Sequence, residues 1–179
     1  LGQKTCYFNT HICWASQAAL YHFYGIEKVP LNDKLFGVYK HTATEKANPL
    51  FRGFDDEFFI PHSRHTTKLK CDIATKDGIS VLSESPEAGI AIASSRGGRE
   101  FYLTGHSEYS PTTLHDEYMR DINKGLMAPL LENYYKDNNS ANPPVVCWTS
   151  HANLLFNNWL NYFVYQETPY NLKDVDFLG

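Results

Sequence analysis

A chain of 179 residues, 42% hydrophobic, 15% aromatic and 20% charged, can bury a sizeable core and is too apolar for a disordered segment. Its formal charge of −4 and pI near 6.0 argue against the clustered basic face of a nucleic-acid binder, so no nucleic acid is expected as a partner. No run approaches the ~20 apolar residues of a membrane span and the first residues carry no signal-peptide pattern, so a cytoplasmic protein without membrane contact is expected.

The first predicted element is a strand from Thr5 to Ile12, where β-prone and polar residues alternate. A sharp turn at Cys13 leads to a helix over Ser16 to Phe23, closed by Gly25, with Pro30 and Asn32 in the loop beyond. Leu35 to Tyr39 and Phe58 to Ile60 read as short strands around a polar loop containing Asn48, Pro49 and Gly53, and Pro61 ends the second. Lys68 to Leu82 reads as sheet, followed by a hairpin of Gly89 to Ser94 and Glu100 to Thr104 turning at Arg96-Gly97-Gly98-Arg99. Thr112 or Thr113 caps a helix to about Asn123, with Gly125 as its stop, and Asp137 to Pro144 is a polar loop. His151 to Glu167 places Leu155, Trp159, Tyr162 and Phe163 at helical spacing, a long helix stopped by Pro169 whose aromatic residues belong to the core. No internal repeat appears, and residues 1–179 are expected to form one domain.

Cys6, Cys13, Cys71 and Cys147 form no Cys-x-x-Cys pair, so free thiols are expected rather than a zinc ribbon or redox motif. Cys13 is placed differently from the others, at a strand-to-helix elbow that aims its sulfur outward. The helix N-terminus behind it favours negative charge, and the Trp14 backbone N–H is positioned to donate one arm of an oxyanion hole. The competing reading is a small buried hydrophobe. His106 and Glu108, two apart at the end of a predicted strand, share a face; the carboxylate can hold the imidazole in the tautomer that accepts a thiol proton, unless they are a surface pair. Glu117 and Arg120, three apart on a helix, form either an exposed ion pair or a carboxylate and guanidinium that grip an amino-acid substrate. His62, His65 and Cys71 lack a fourth ligand at zinc spacing, so no metal is expected and the polar stretch after Pro61 reads as a pocket rim.

Several blocks together resemble the homoserine O-succinyltransferase and O-acetyltransferase family. They are His11-Ile12-Cys13-Trp14, Ala19-Leu20-Tyr21-His22-Phe23-Tyr24-Gly25-Ile26, Arg52-Gly53-Phe54-Asp55-Asp56-Glu57-Phe58-Phe59-Ile60-Pro61-His62-Ser63-Arg64-His65, Gly105-His106-Ser107-Glu108-Tyr109, Glu117-Tyr118-Met119-Arg120 and the Asn153 to Tyr162 segment. The resemblance spans almost the whole chain in order. It implies an α/β, flavodoxin-like fold of the class I glutamine amidotransferase-like type, with helices on both faces and the site at the C-terminal ends of the strands. It further implies Cys13 as acyl-thioester nucleophile, His106 as proton acceptor and Glu108 as its orienting partner. Lys34, Ser63 and Arg120 match substrate-binding positions, with Glu117 a further contact to the acceptor. The implied substrates are L-homoserine and acetyl- or succinyl-coenzyme A, with no permanently bound cofactor, in methionine biosynthesis, and the implied assembly is a homodimer.

Two departures bear on that resemblance. Ala15 and Ser16 stand where the family usually has Gly and Ala, so the elbow must accept an extra Cβ; Ser107 replaces a larger apolar residue and could reshape the acceptor pocket toward L-serine. Family members also carry a substantial preceding portion, with the second oxyanion donor and the residue that selects the acyl group. Leu1 in place of Met agrees with an N-terminal portion missing here, this chain being the larger C-terminal part. Rival readings are a triad amidase acting on glutamine, which would release ammonia without coenzyme A, and a non-catalytic fragment.

Overall fold

The computed structural model describes residues 7–169; Leu1, Thr5, Cys6 and the expected start of the first strand lie outside the described residues. Among the described residues six strands form: β1 (Asn9–Ile12), β2 (Val29–Ala43), β3 (Phe58–Thr67), β4 (Ile79–Ser85), β5 (Gly89–Ser95) and β6 (Glu100–Leu103). They make one mixed sheet in the order β1-β6-β5-β4-β2-β3, in which only β1 and β6 run parallel. The hairpin turning at Arg96 to Arg99 pairs Ser95 with Glu100, and positive φ at Arg96, Gly97 and Gly98 supplies the reversal.

Helices cover both faces, as a flavodoxin-like sheet requires. All four residues of β6 are buried, and their alternation divides two cores. Tyr102 faces α1 (Trp14–Tyr24), packing with Leu20, Ile26, Ile90 and Ala93. Phe101 and Leu103 face α4 (Thr149–Asn158) with Phe58, Ile60, Leu82, Ile92 and Leu155. A third cluster of Phe36, Val38, Leu114, Leu131, Tyr134 and Trp148 seats α3 (Thr113–Asn123) beside β2. Gly25 ends α1 in the left-handed conformation, as expected.

Four expectations are corrected. The short strands read at Leu35 to Tyr39 and Phe58 to Ile60 are parts of the long β2 and β3, and Pro61 lies inside β3. Val38, opposite Pro61, sends its N–H to Glu132 O at 2.8 Å, so this is a non-hydrogen-bonded pair and the missing proline N–H faces the outer edge. The Pro61 carbonyl on that edge accepts the His106 N–H at 2.8 Å. Second, Lys68 to Leu82 is not continuous sheet: α2 (Lys70–Ala74) intervenes, burying Ile73 before β4. Third, the long C-terminal helix begins at Thr149 and opens into a π-helical turn over Trp159–Val164 before α5 (Tyr165–Glu167). The wider turn follows Asn158, whose side-chain amide donates to Leu50 O (2.9 Å) and Arg52 O (2.8 Å). Trp159 and Phe163 pack against the core, whereas Tyr165 is exposed. Fourth, Thr112 is the N-cap of α3 but its side chain makes no capping bond; Thr113 Oγ1 instead pairs with Ser110 Oγ at 2.8 Å. The loop over 137–144 overlaps a short 3-10 turn at Lys136–Asn138.

Candidate active site

Because β1 and β6 are parallel neighbours, the residues that follow them leave the sheet at the same end. Cys13 follows β1 at φ 52° and ψ −114°, in a region of backbone space that a Cβ disfavours. Such strain costs on the order of 1 to 3 kcal/mol and persists only where surrounding bonds hold it. Here the Cys13 N–H donates to Leu103 O of β6 at 2.7 Å, and the Cys13 carbonyl accepts the Gln17 N–H at 3.2 Å. The extra Cβ expected to crowd the elbow belongs to Ala15, which is exposed; Ser16 adds a hydroxyl and is fully buried with its Oγ unpartnered among the described residues. Trp14 begins α1, so its N–H is one of the first-turn donors with no intrahelical acceptor, and its indole is 74% exposed.

His106 follows β6. Its Nδ1 lies 2.7 Å from Glu108 Oε1, and its ring stacks on Tyr109 with centroids 4.1 Å apart. Burial alone would lower the His106 pKa; hydrogen bonding and charge from Cys13 and Glu108 outweigh it and raise the value to about 9. Gly105 makes this approach feasible, since a Cβ there would stand 2.5 Å from Ile60 Cγ2 and 2.8 Å from His62 Cε1.

The four residues matched to substrate binding also converge. Lys34, at the irregular start of the β2/β3 pairing, donates to Glu117 Oε1 at 2.8 Å, and Ser63 Oγ donates to the same oxygen at 2.7 Å. Arg120 Nη2 lies 3.7 Å from Glu117 Oε1 and 2.7 Å from Asp121 Oδ1. Asp121 also lies 3.4 Å from Lys34 Nζ; sequence reasoning missed it, although its position four residues after Glu117 puts it on the same helical face. Tyr109 sits between the two groups: burial raises its pKa, and Glu117, Cys13 and Glu108 push it further up against the pull of Arg120.

A second missed residue is Arg64, 5% exposed, which donates to Thr66 O, to Ala88 O and to His62 Nδ1. No carboxylate pairs with it among the described residues. Burial lowers its pKa to about 10, and the charges of Cys13 and Tyr39 act the other way. A buried, unpaired cation beside a thiol favours negative charge developing there. The alternation Ile60, His62, Arg64 announces this inward face once β3 is allowed to run past Pro61.

One sequence reading fails on geometry. Ser107 is buried and lines a tight gap with Phe54, Ile60, Ala152 and Leu155 on the α4 side, away from the Lys34 and Glu117 cluster. It therefore gives no reason to prefer serine as acceptor. His62 and His65 fall on opposite faces of β3: His62 is buried against His41 (Nε2 to Nε2, 3.3 Å) and His65 is exposed, while Cys71 is exposed on α2. Among the described residues no cluster of His, Cys, Asp or Glu could hold a metal. Cys13, Cys71 and Cys147 are free thiols.

The sheet with its two helical layers is a class I glutamine amidotransferase-like fold. A glutamine amidotransferase from Thermotoga maritima superposes with a TM-score of 0.60 at 18% identity, over 87% of this chain and 62% of that one. Within that class, the chain belongs to the homoserine O-succinyltransferase family, whose model matches residues 1–170. It is 59% identical over 169 residues to a homoserine O-acetyltransferase of Parabacteroides distasonis, covering 94% of this chain and 54% of the relative. It is 56% identical over 165 residues to one of Phocaeicola vulgatus, covering 92% and 54%. The chain thus spans about half the length of the curated relatives it matches.

Proposed function

We propose that this chain carries the nucleophile, base and acceptor site of an acyltransferase that moves an acetyl or succinyl group from acyl-coenzyme A to the hydroxyl of L-homoserine. The observation that carries this reading is the meeting of Cys13, the His106–Glu108 pair and the Lys34–Ser63–Glu117–Arg120 cluster at one end of the sheet. The names of the relatives favour acetyl over succinyl as the transferred group. The chain is read as the larger C-terminal part of a cytoplasmic, homodimeric enzyme of methionine biosynthesis, with no permanently bound cofactor.

In the first half-reaction the Cys13 thiolate attacks the acyl carbonyl, with the Trp14 N–H as one donor to the oxyanion. Coenzyme A leaves as a thiolate and takes the proton from the His106 imidazolium. Acylation removes the Cys13 charge, one of the causes holding that proton, so burial then favours neutral imidazole. In the second half-reaction His106 accepts the homoserine hydroxyl proton as that oxygen attacks the thioester, and the Cys13 thiolate is released. Glu117 takes the substrate ammonium, and Arg120 with Lys34 takes its carboxylate.

The test is intact mass of the full-length protein after incubation with acetyl- or succinyl-coenzyme A. A hydroxylamine-labile acetyl or succinyl adduct on Cys13, absent from Cys13→Ala, is expected. No adduct, with ammonia released from glutamine, would transfer the case to the amidase reading.

A further inference from the structure

A cleft of about 280 Å³ opens beside the elbow, outside the acceptor cluster, lined by Trp14, Gln17, Tyr21, Glu27, Lys28 and Lys68. Its floor is one face of α1, with Trp14, Gln17, Ala18 and Tyr21 at helical spacing. From Trp14 to Tyr21 this face runs ~10 Å away from the thiol at 1.5 Å rise per residue. Two aromatic side chains on it are solvent-exposed, Trp14 at 74% and Tyr21 at 55%.

The far end is cationic. Lys68 is only 3% exposed, and its ammonium donates to Ile26 O and sits 6.0 Å over the Tyr21 ring. Among the described residues no carboxylate forms a salt bridge with it, which leaves donors of a buried cation unmatched. Lys28 is exposed at the rim. Burial lowers the Lys68 pKa; Glu27 and Asp72 oppose that and Lys28 adds to it, and of these groups Glu27 and Lys28 line the cleft with Lys68.

We propose that this cleft receives the acyl donor: the pantetheine arm follows the Trp14 to Tyr21 face from the thiol, and Lys28 and Lys68 hold the phosphate-bearing nucleotide end. The proposal rests on the acyl-coenzyme A reading and adds where that donor lies. A helix face carries aromatic surface for an apolar arm, and two lysines supply point charges suited to phosphate oxygens. Acceptor and donor then reach Cys13 from different sides, which suits a reaction in which coenzyme A departs before the acceptor hydroxyl attacks.

The experiment compares two donors with the full-length protein: acetyl-coenzyme A, and S-acetyl-N-acetylcysteamine, which keeps the thioester and lacks the nucleotide. Lys28→Glu should raise the half-saturating acetyl-coenzyme A concentration for Cys13 acylation by about tenfold or more, the scale of a lost charge-assisted phosphate contact. Acylation by the short donor and KM for homoserine should stay unchanged, and Lys28→Arg should restore the wild-type value. Tyr21→Ala, also at the surface, should weaken the coenzyme A donor in the same selective way. Unchanged half-saturation for acetyl-coenzyme A in both variants, or equal loss with both donors, overturns the proposal. If the wild type is acylated by neither donor, the acyltransferase reading itself fails and takes this inference with it.

Discussion

Glu108 holds His106 through a single 2.7 Å contact, so one carboxylate fixes the imidazole tautomer and, together with Cys13, raises its pKa. Glu108→Gln keeps the shape and removes the charge. Its expected result is a fall in kcat/KM of about 10²-fold or more, with the His106 pKa moving down from about 9 toward its ordinary value. Steady-state rates across pH and imidazole NMR titration check the two parts. An unchanged rate would remove Glu108 from the mechanism. The spacing of His106 and Glu108 was legible in the sequence because a two-residue step at a strand end keeps one face. The partnership with Cys13 was not, since a separation of 93 positions hides the parallel β1/β6 pairing that joins them. Arg64 escaped notice for a different reason: it depends on β3 continuing past a proline, and that is permitted only because the outer edge needs no N–H there.

The elements position these residues through a few close backbone approaches. The stretch around Glu132 docks on β2 where Gly37 has no side chain; a Cβ at that position would meet the Glu132 carbonyl oxygen at 2.2 Å and its nitrogen at 2.6 Å, at φ 149°. Gly37→Ala therefore forces backbone apart in the cluster that seats α3, and a loss of about 1 to 3 kcal/mol is expected. Because α3 carries Glu117, Arg120 and Asp121, the same variant should raise KM for homoserine more than it alters Cys13 acylation. Urea unfolding and the two half-reactions measured separately check this, and equal effects on both half-reactions would contradict it. Helical spacing and hairpin chemistry made α1, α3 and the β5/β6 turn readable. The lengths of β2 and β3 were not, since histidine, serine, arginine and proline in β3 blur the two-residue period that burial reveals.

Across the whole molecule, buried histidines make stability depend on pH with opposite signs. Burial lowers the His41 pKa to about 4, and burial with the neighbouring His41 and Arg64 charges holds His62 well below its ordinary value. Groups with depressed folded-state values support the fold above their unfolded pKa near 6.5, and that support fades as pH falls toward 4. For His41 the loss is on the order of 2 to 3 kcal/mol. His106 has the opposite sign: its raised value contributes stability that is complete below about 6.5 and lost as pH rises through about 9. The urea midpoint of the full-length protein should therefore peak near pH 6.5, and Cys13→Ala should flatten the alkaline limb because Cys13 supplies part of the rise. A midpoint constant from pH 5 to 9 would contradict this account.

The central claim is that one cysteine thioester links two half-reactions served by the same histidine. The most direct measurement isolates the acylated full-length protein, free of coenzyme A, and then adds L-homoserine. The account predicts that the acyl mass leaves Cys13 and appears as O-acylhomoserine at no less than the steady-state turnover rate. An acyl-enzyme that persists in the presence of homoserine while overall turnover proceeds would contradict it.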